Sequence, residues 1–178
     1  MTTETLLRQR ALFLGAFAVC AALMAAALTM QYALALEPCP LCIFQRIFVI
    51  ALGVVMLVAA AHDPALTGRR VYGGLIVALG ALGMVVAGRH VWLQNLPADQ
   101  VPECGPGLDY LLDAFPLGEA LSIVFRGSGE CAEVQWVFLG LTIPGWTLVA
   151  FTAFTVFGVL LVATRLGMPA RAPSPAER

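Results

Sequence analysis

Cys39-Pro40-Leu41-Cys42 is the segment of this chain with the clearest chemical meaning. Two cysteines at this spacing can trade a disulfide, and a helix that starts between them lends its N-terminal N–H groups to a thiolate. Pro40 predicts such a start, because proline is tolerated in a first turn; it takes the first helical position and leaves Cys39 as the cap. A static disulfide and half of a zinc site are the competing readings. A four-cysteine zinc site fits poorly, since the next two cysteines, Cys104 and Cys131, are separated by a long stretch rather than by a second two-residue spacing. Cys104 precedes Gly105-Pro106-Gly107 and Cys131 follows Gly127-Ser128-Gly129, which predicts a mobile backbone beside each sulfur. Arg46 lies four residues after Cys42 and so on the same helical face. A fixed guanidinium there would stabilise both a Cys42 thiolate and negative charge developing on a carbonyl oxygen; the plainer alternative is an arginine that snorkels to headgroups.

The elements that must position these residues are dictated by composition. Of 178 residues, 60% are hydrophobic and 12% charged, whereas a soluble domain carries about 25% charged residues. An ordinary soluble domain, a disordered chain and a nucleic-acid binder are thereby excluded, and lipid is the expected solvent. Four stretches are apolar over the roughly 20 residues needed to cross a bilayer: about 11–36, 43–61, 71–88 and 144–164. The first follows Arg8 and Arg10 like a signal peptide, but its uncharged core is too long for one, so it is expected to stay as a helix. Cys20 falls in its middle and reads as a small core residue. The expected fold class is all-α: a four-transmembrane-helix bundle spanning residues 1–166, with Gly73, Gly74, Gly80, Gly83 and Gly88 allowing close packing of the third helix.

All ten basic residues are arginines, and their placement orients the bundle. Arg8, Arg10, Arg69, Arg70, Arg165, Arg171 and Arg178 share the side of the two termini, which makes that side cytoplasmic. The opposite, mostly acidic side holds a short loop at about 37–42 and a long one at about 89–143. Four of the five cysteines lie there, in a compartment that permits disulfides. Within the long loop, Leu108, Leu111, Leu112 and Phe115, and then Leu117, Leu121, Val124 and Phe125, recur at helical spacing. They predict short amphipathic helices, either lying on the bilayer surface or packed as a lid over the bundle. Residues 167–178, rich in proline, read as a disordered cytoplasmic tail.

A dithiol relay that turns over must pass two electrons onward. The chain has no dinucleotide fingerprint, no haem-attachment motif and no iron–sulfur spacing. His62 and His90 stand at opposite membrane faces and cannot share a haem iron. A lipid-soluble two-electron carrier remains, and His90, level with Arg46, is a candidate to line its site; the alternative is a merely interfacial histidine.

Three segments resemble the disulfide bond formation protein B (DsbB) family: Glu37-Pro38-Cys39-Pro40-Leu41-Cys42-Ile43-Phe44-Gln45-Arg46, Arg89-His90-Val91-Trp92-Leu93-Gln94, and Cys131-Ala132-Glu133 leading to Gln135-Trp136-Val137-Phe138-Leu139-Gly140-Leu141. Their order on four spans makes the resemblance specific. It implies a bacterial inner-membrane thiol:quinone oxidoreductase that reoxidises the periplasmic thiol oxidase DsbA or a DsbA-like protein. It further implies that Cys39 and Cys42 form the disulfide linked to ubiquinone or menaquinone, that Cys104 and Cys131 form the disulfide facing DsbA, and that Arg46 assists the quinone. No metal, haem or nucleotide is expected. Two other classes compete: an oxidoreductase of the vitamin K epoxide reductase type, whose active pair is expected near the end of a later span, and a scaffold or sensor with structural disulfides.

Overall fold

The structure, a computed structural model, describes residues 3–97, 99–102, 110 and 113–163. Four long helices follow the hydropathy: α1 (Thr3–Ala33), α2 (Pro40–His62), α3 (Leu66–Gln94) and, last in the chain, α6 (Ile143–Ala163). From Gln9 onward α1, and each of the others in full, is long and apolar enough to cross a membrane. Between α3 and α6 come α4 (Leu117–Arg126), the single turn α5 (Gly129–Ala132) and a two-stranded hairpin, β1 (Val137–Phe138) with β2 (Leu141–Thr142). Cys104, most of the helix expected over 108–115 and the tail 167–178 lie outside the described residues.

Several helix ends differ from the expected spans, and α3 already begins at Leu66 rather than Val71. α1 stops at Ala33 rather than Leu36, because Ala35 takes a left-handed φ of 52° and Leu36 N–H turns back to Met30 O. α2 begins at Pro40 rather than Ile43, with the fixed φ of proline in its first turn. α3 runs to Gln94, so Arg89 and His90 stand on its last turns rather than in a loop. Polar side chains interrupt the hydropathy of these turns without interrupting the backbone hydrogen bonding.

Helices α3 and α6 share the most extensive contact, followed by α1 with α2 and α2 with α3. A Cβ on Gly83 would fall 2.5 Å from the Phe151 ring, and one on Gly158 would fall 2.9 Å from Gly73 O. Small residues thus let α3 and α6 approach closely where hydrophobic burial between lipid-solvated helices contributes little. Gly74 and Gly88 have open space instead, so only part of the expected glycine stripe packs. The bundle core contains Phe13, Cys20, Leu52, Met56, Ile76 and Phe151. Val54, Val85, Val149 and Val159 point outward, as lipid-facing side chains do.

The hairpin was not expected. Its two-residue turn, Leu139-Gly140, has positive φ at both positions (50° and 80°), the backbone twist that favours tight antiparallel pairing. Helix α4 is a lid. Val124 is buried with Leu41, Val86 and Leu93, and Arg89 donates to Phe125 O (3.2 Å) and Arg126 O (2.8 Å). A guanidinium thus satisfies the last carbonyls of α4 and complements its dipole.

Candidate active site

Cys39 has extended backbone angles and caps α2, and Pro40 follows in the first turn. The Cys39 and Cys42 sulfurs, both unbonded thiols, approach to 3.1 Å. The local sequence forces this approach, because one helical turn separates a cap from the third residue of its helix.

A third sulfur joins them from the loop. Helix α5 places Cys131 fully buried beside Cys39, in the same apolar cluster as Leu41, Val86, Leu93 and Val124. Its backbone N–H donates to Ser128 O at 2.9 Å, and its sulfur lies 3.7 Å from Ser128 Oγ. The thiol pKa of Cys131 is lowered to about 6, first because Cys39 hydrogen-bonds to its sulfur and then through the Leu41 and Ser128 N–H groups, against the opposing effect of burial. The Leu41 N–H is one of those left unpaired at the start of α2, so the helix N-terminus serves the incoming sulfur. Cys39 is pushed up, by hydrogen bonding to Cys131, then to Cys42, and by burial. Between Cys131 and Cys39, Cys131 is the preferred thiolate and Cys39 the preferred proton holder.

Among the glycines before Cys131, Gly127 has a packing role. Gly127 has φ 86°, and a Cβ there would stand 2.4 Å from Leu93 Cδ1. The residue is required by a left-handed turn pressed against α3, and that turn seats Cys131.

Beyond Cys42 opens a cavity of about 310 Å³ between α1, α2, α6 and the hairpin. Cys42, Gln45 and Arg46 form its polar edge, and Met24, Trp136 and Trp146 are among its apolar walls. Trp146 Nε1 donates to Phe138 O at 3.0 Å, and the Trp136 and Phe138 rings stack 5.6 Å apart, so the unexpected hairpin builds one wall. Arg46 shares this cavity with Cys42, as the i, i+4 spacing predicts. Its guanidinium turns toward α1, donating to Gln31 Oε1 and to Ala27 O (3.2 Å). These are protein acceptors rather than headgroups.

His90 is buried and does not line the cavity; it packs on the other side of the cysteine pair. Its Nε2 lies 3.7 Å from Cys39 Sγ, and a ring nitrogen and the two sulfurs all lie within 4.8 Å of one another. Its Nδ1 meets Gln45 Nε2 at 3.0 Å, and Gln45 Oε1 accepts from Thr147. Gln31, Gln45, Trp136, Trp146 and Thr147 were not singled out by function in the sequence. Gln45, Trp136 and their neighbours stood inside recognisable segments; Gln31 and Thr147 carry no local signal.

Chemically, three adjacent sulfurs can pass a disulfide from one pair to the next, and Cys42 at the end of the series borders an apolar chamber. The family described as disulfide bond formation protein DsbB matches residues 9–161. Proteins named disulfide bond formation protein B are 62% identical in Nitrosococcus oceani (78% of this chain, 82% of that one) and 57% identical in Saccharophagus degradans (85% and 90%). One in Methylococcus capsulatus is 52% identical over 88% of this chain and 95% of its own. The chain therefore belongs to the disulfide bond formation protein B family and is a multi-pass membrane oxidoreductase acting in disulfide bond formation.

Proposed function

We propose that this protein reoxidises a DsbA-like periplasmic dithiol oxidase and transfers the electrons to ubiquinone or menaquinone. The observation that carries the reading is the series Cys131, Cys39, Cys42, which ends at an apolar cavity edged by Arg46. The residues around that cavity fit a quinone: apolar and aromatic walls suit its ring and tail, and Arg46 supplies a positive charge for a carbonyl oxygen. A bound quinone supplies an acceptor for two electrons and two protons.

The partner's thiolate attacks Cys104 of a Cys104–Cys131 disulfide, forming a mixed disulfide and releasing Cys131 as thiolate. Cys131 then attacks Cys39 of the Cys39–Cys42 disulfide, so that a Cys131–Cys39 bond forms and Cys42 leaves as thiolate. The depressed pKa of Cys131 suits it to be both leaving group and attacking thiolate near neutral pH. Cys42, at the cavity edge, delivers the electron pair, and Arg46 orients the acceptor there. The partner's second thiol resolves the mixed disulfide, releasing oxidised partner and the Cys104 thiolate; Cys104 attacks Cys131 and frees Cys39, and Cys39 and Cys42 re-form their disulfide as two electrons and two protons pass to the acceptor.

The arginine distribution supports an inner-membrane orientation with both termini cytoplasmic and both cysteine pairs periplasmic. The test is turnover. Purified full-length protein mixed with a reduced DsbA-type dithiol protein should bleach ubiquinone-1 or a short-chain menaquinone while oxidising one dithiol per quinone. Disulfides that stay oxidised with no bleaching of either quinone would overturn the reading.

A further inference from the structure

Gln45 and His90 are 4% and 2% exposed, and the transfer of electrons through sulfur requires neither. Burial of an amide and an imidazole is unfavourable unless their polar atoms are matched, and here the matching has a direction. Thr147, on α6, donates its hydroxyl proton to Gln45 Oε1. That turns the amide nitrogen of Gln45, on α2, toward His90 Nδ1 on α3, at 3.0 Å. An amide NH2 only donates, so Nδ1 accepts and the ring proton resides on Nε2. Nε2 is the atom 3.7 Å from Cys39 Sγ. Three helices each contribute one residue to a hydrogen-bond chain that ends on the sulfur pair.

We propose that Gln45 and Thr147 are positioning residues that hold His90 as its Nε2–H tautomer, so that the imidazole donates a hydrogen bond to whichever sulfur of the Cys39–Cys42 pair becomes a thiolate. This rests on the proposed redox role of that pair. When the Cys131 thiolate attacks Cys39, the Cys39–Cys42 bond breaks, a Cys131–Cys39 bond forms, and Cys42 departs with the electron pair and the negative charge. No proton is transferred in that step, so the departing sulfur needs a donor already in place. The opposite tautomer would present a lone pair to it. A carboxylate at position 45 accepts only and would demand a proton on Nδ1, so glutamine and glutamate at this position set opposite polarities.

Thr147 has a second acceptor within reach, Pro144 O at 3.0 Å. Donation there would let the Gln45 amide reverse and give the Nδ1–H tautomer, which makes the assignment directly testable. The chain has two histidines, and His62 bonds to Tyr72 on a distant turn, so a His62→Gln background leaves one imidazole to observe. Nitrogen-15 spectra of the full-length reduced protein in nanodiscs should show the Nε2–H tautomer of His90. Gln45→Glu should convert it to Nδ1–H and Gln45→Leu should leave a mixture. In turnover, Gln45→Glu should lower kcat roughly tenfold, the loss expected when one hydrogen bond to a charged group is removed. Thr147→Ser should restore wild-type spectra and rate where Thr147→Val does not.

An Nδ1–H tautomer in the wild-type protein would overturn the proposal, as would a Gln45→Glu protein with altered tautomer and undiminished kcat. Failure of the underlying redox assignment looks different: Cys42→Ser would then retain turnover whatever the tautomer.

Discussion

On one side of the Cys39–Cys42 pair, His90 and Gln45 are buried, bonded to each other and braced by Thr147; on the other, Cys42 opens onto a cavity walled by Met24, Trp136 and Trp146. The closed side has its donors and acceptors matched across three helices. The open side has one cation, Arg46, anchored to α1, with Glu37 and the edge of Gln45 beside it and otherwise mostly apolar walls. In the proposed reaction the difference separates two tasks. A thiolate must be stabilised without letting in water, which calls for a fixed polar network, and a large apolar molecule must enter and leave, which calls for a chamber with few polar groups.

Substitutions should affect the two sides unequally, with effects of graded size. Cys42→Ser removes the sulfur common to both sides, and quinone reduction should fall at least about a thousandfold, to background, because no other thiol borders the cavity among the described residues. The fold should persist, as circular dichroism would verify.

Next in size is the effect of Cys39 on Cys131. In the fully reduced protein the Cys131 thiolate fraction rises as pH passes about 6, well below the ordinary cysteine value of about 8.5. Alkylation of Cys131 should therefore be half-maximal near pH 6 and lost below it. Removing the Cys39 hydrogen bond, its largest cause, should move that midpoint upward, and in Cys39→Ala the alkylation rate at pH 6 should drop roughly a hundredfold. Peptide mass mapping after timed iodoacetamide pulses would measure both.

Arg46→Ala acts on the open side alone. The KM for quinone should rise roughly tenfold, the loss of one charge-assisted contact, while Cys131 alkylation stays at the wild-type rate. A change in the latter would mean that the two sides are not separable. The smallest effect is expected from Gly127→Ala. The added methyl meets Leu93 and a left-handed turn, costing about 1–3 kcal/mol, and a loosened α4–α5 lid should raise Cys131 accessibility several-fold at fixed pH without altering the KM.

The four spans were legible because each is a long uninterrupted apolar run, and the Cys39 cap because Pro40 has few other places to go in a helix. The cytoplasmic and outer assignments drew on arginine positions alone. What escaped was short or tertiary. Strands of two residues carry no periodicity, and Leu139-Gly140 lacks the Asn or Asp that usually announces a tight hairpin. Thr147 is one hydroxyl in an apolar helix, and its meaning depends on Gln45, 102 residues away. His90 was recognised as close to the site, yet its side of the cysteine pair depends on how α3 is rotated against α2, which glycine packing against α6 decides. The packing of α4 on the bundle depends on Arg89 reaching its last carbonyls, a contact spanning 36 residues.

The proposed relay depends on direct exchange between Cys131 and Cys39. In a Cys42→Ser protein, Cys39 has lost its partner, and its sulfur should attack the Cys104–Cys131 disulfide. A Cys39–Cys131 bond would form and Cys104 would leave as thiol. Mass mapping of the purified variant, without added reductant, measures this most directly. A Cys39–Cys131 cross-link with Cys104 alkylatable is expected; an intact Cys104–Cys131 disulfide beside a free Cys39 would rule out direct exchange.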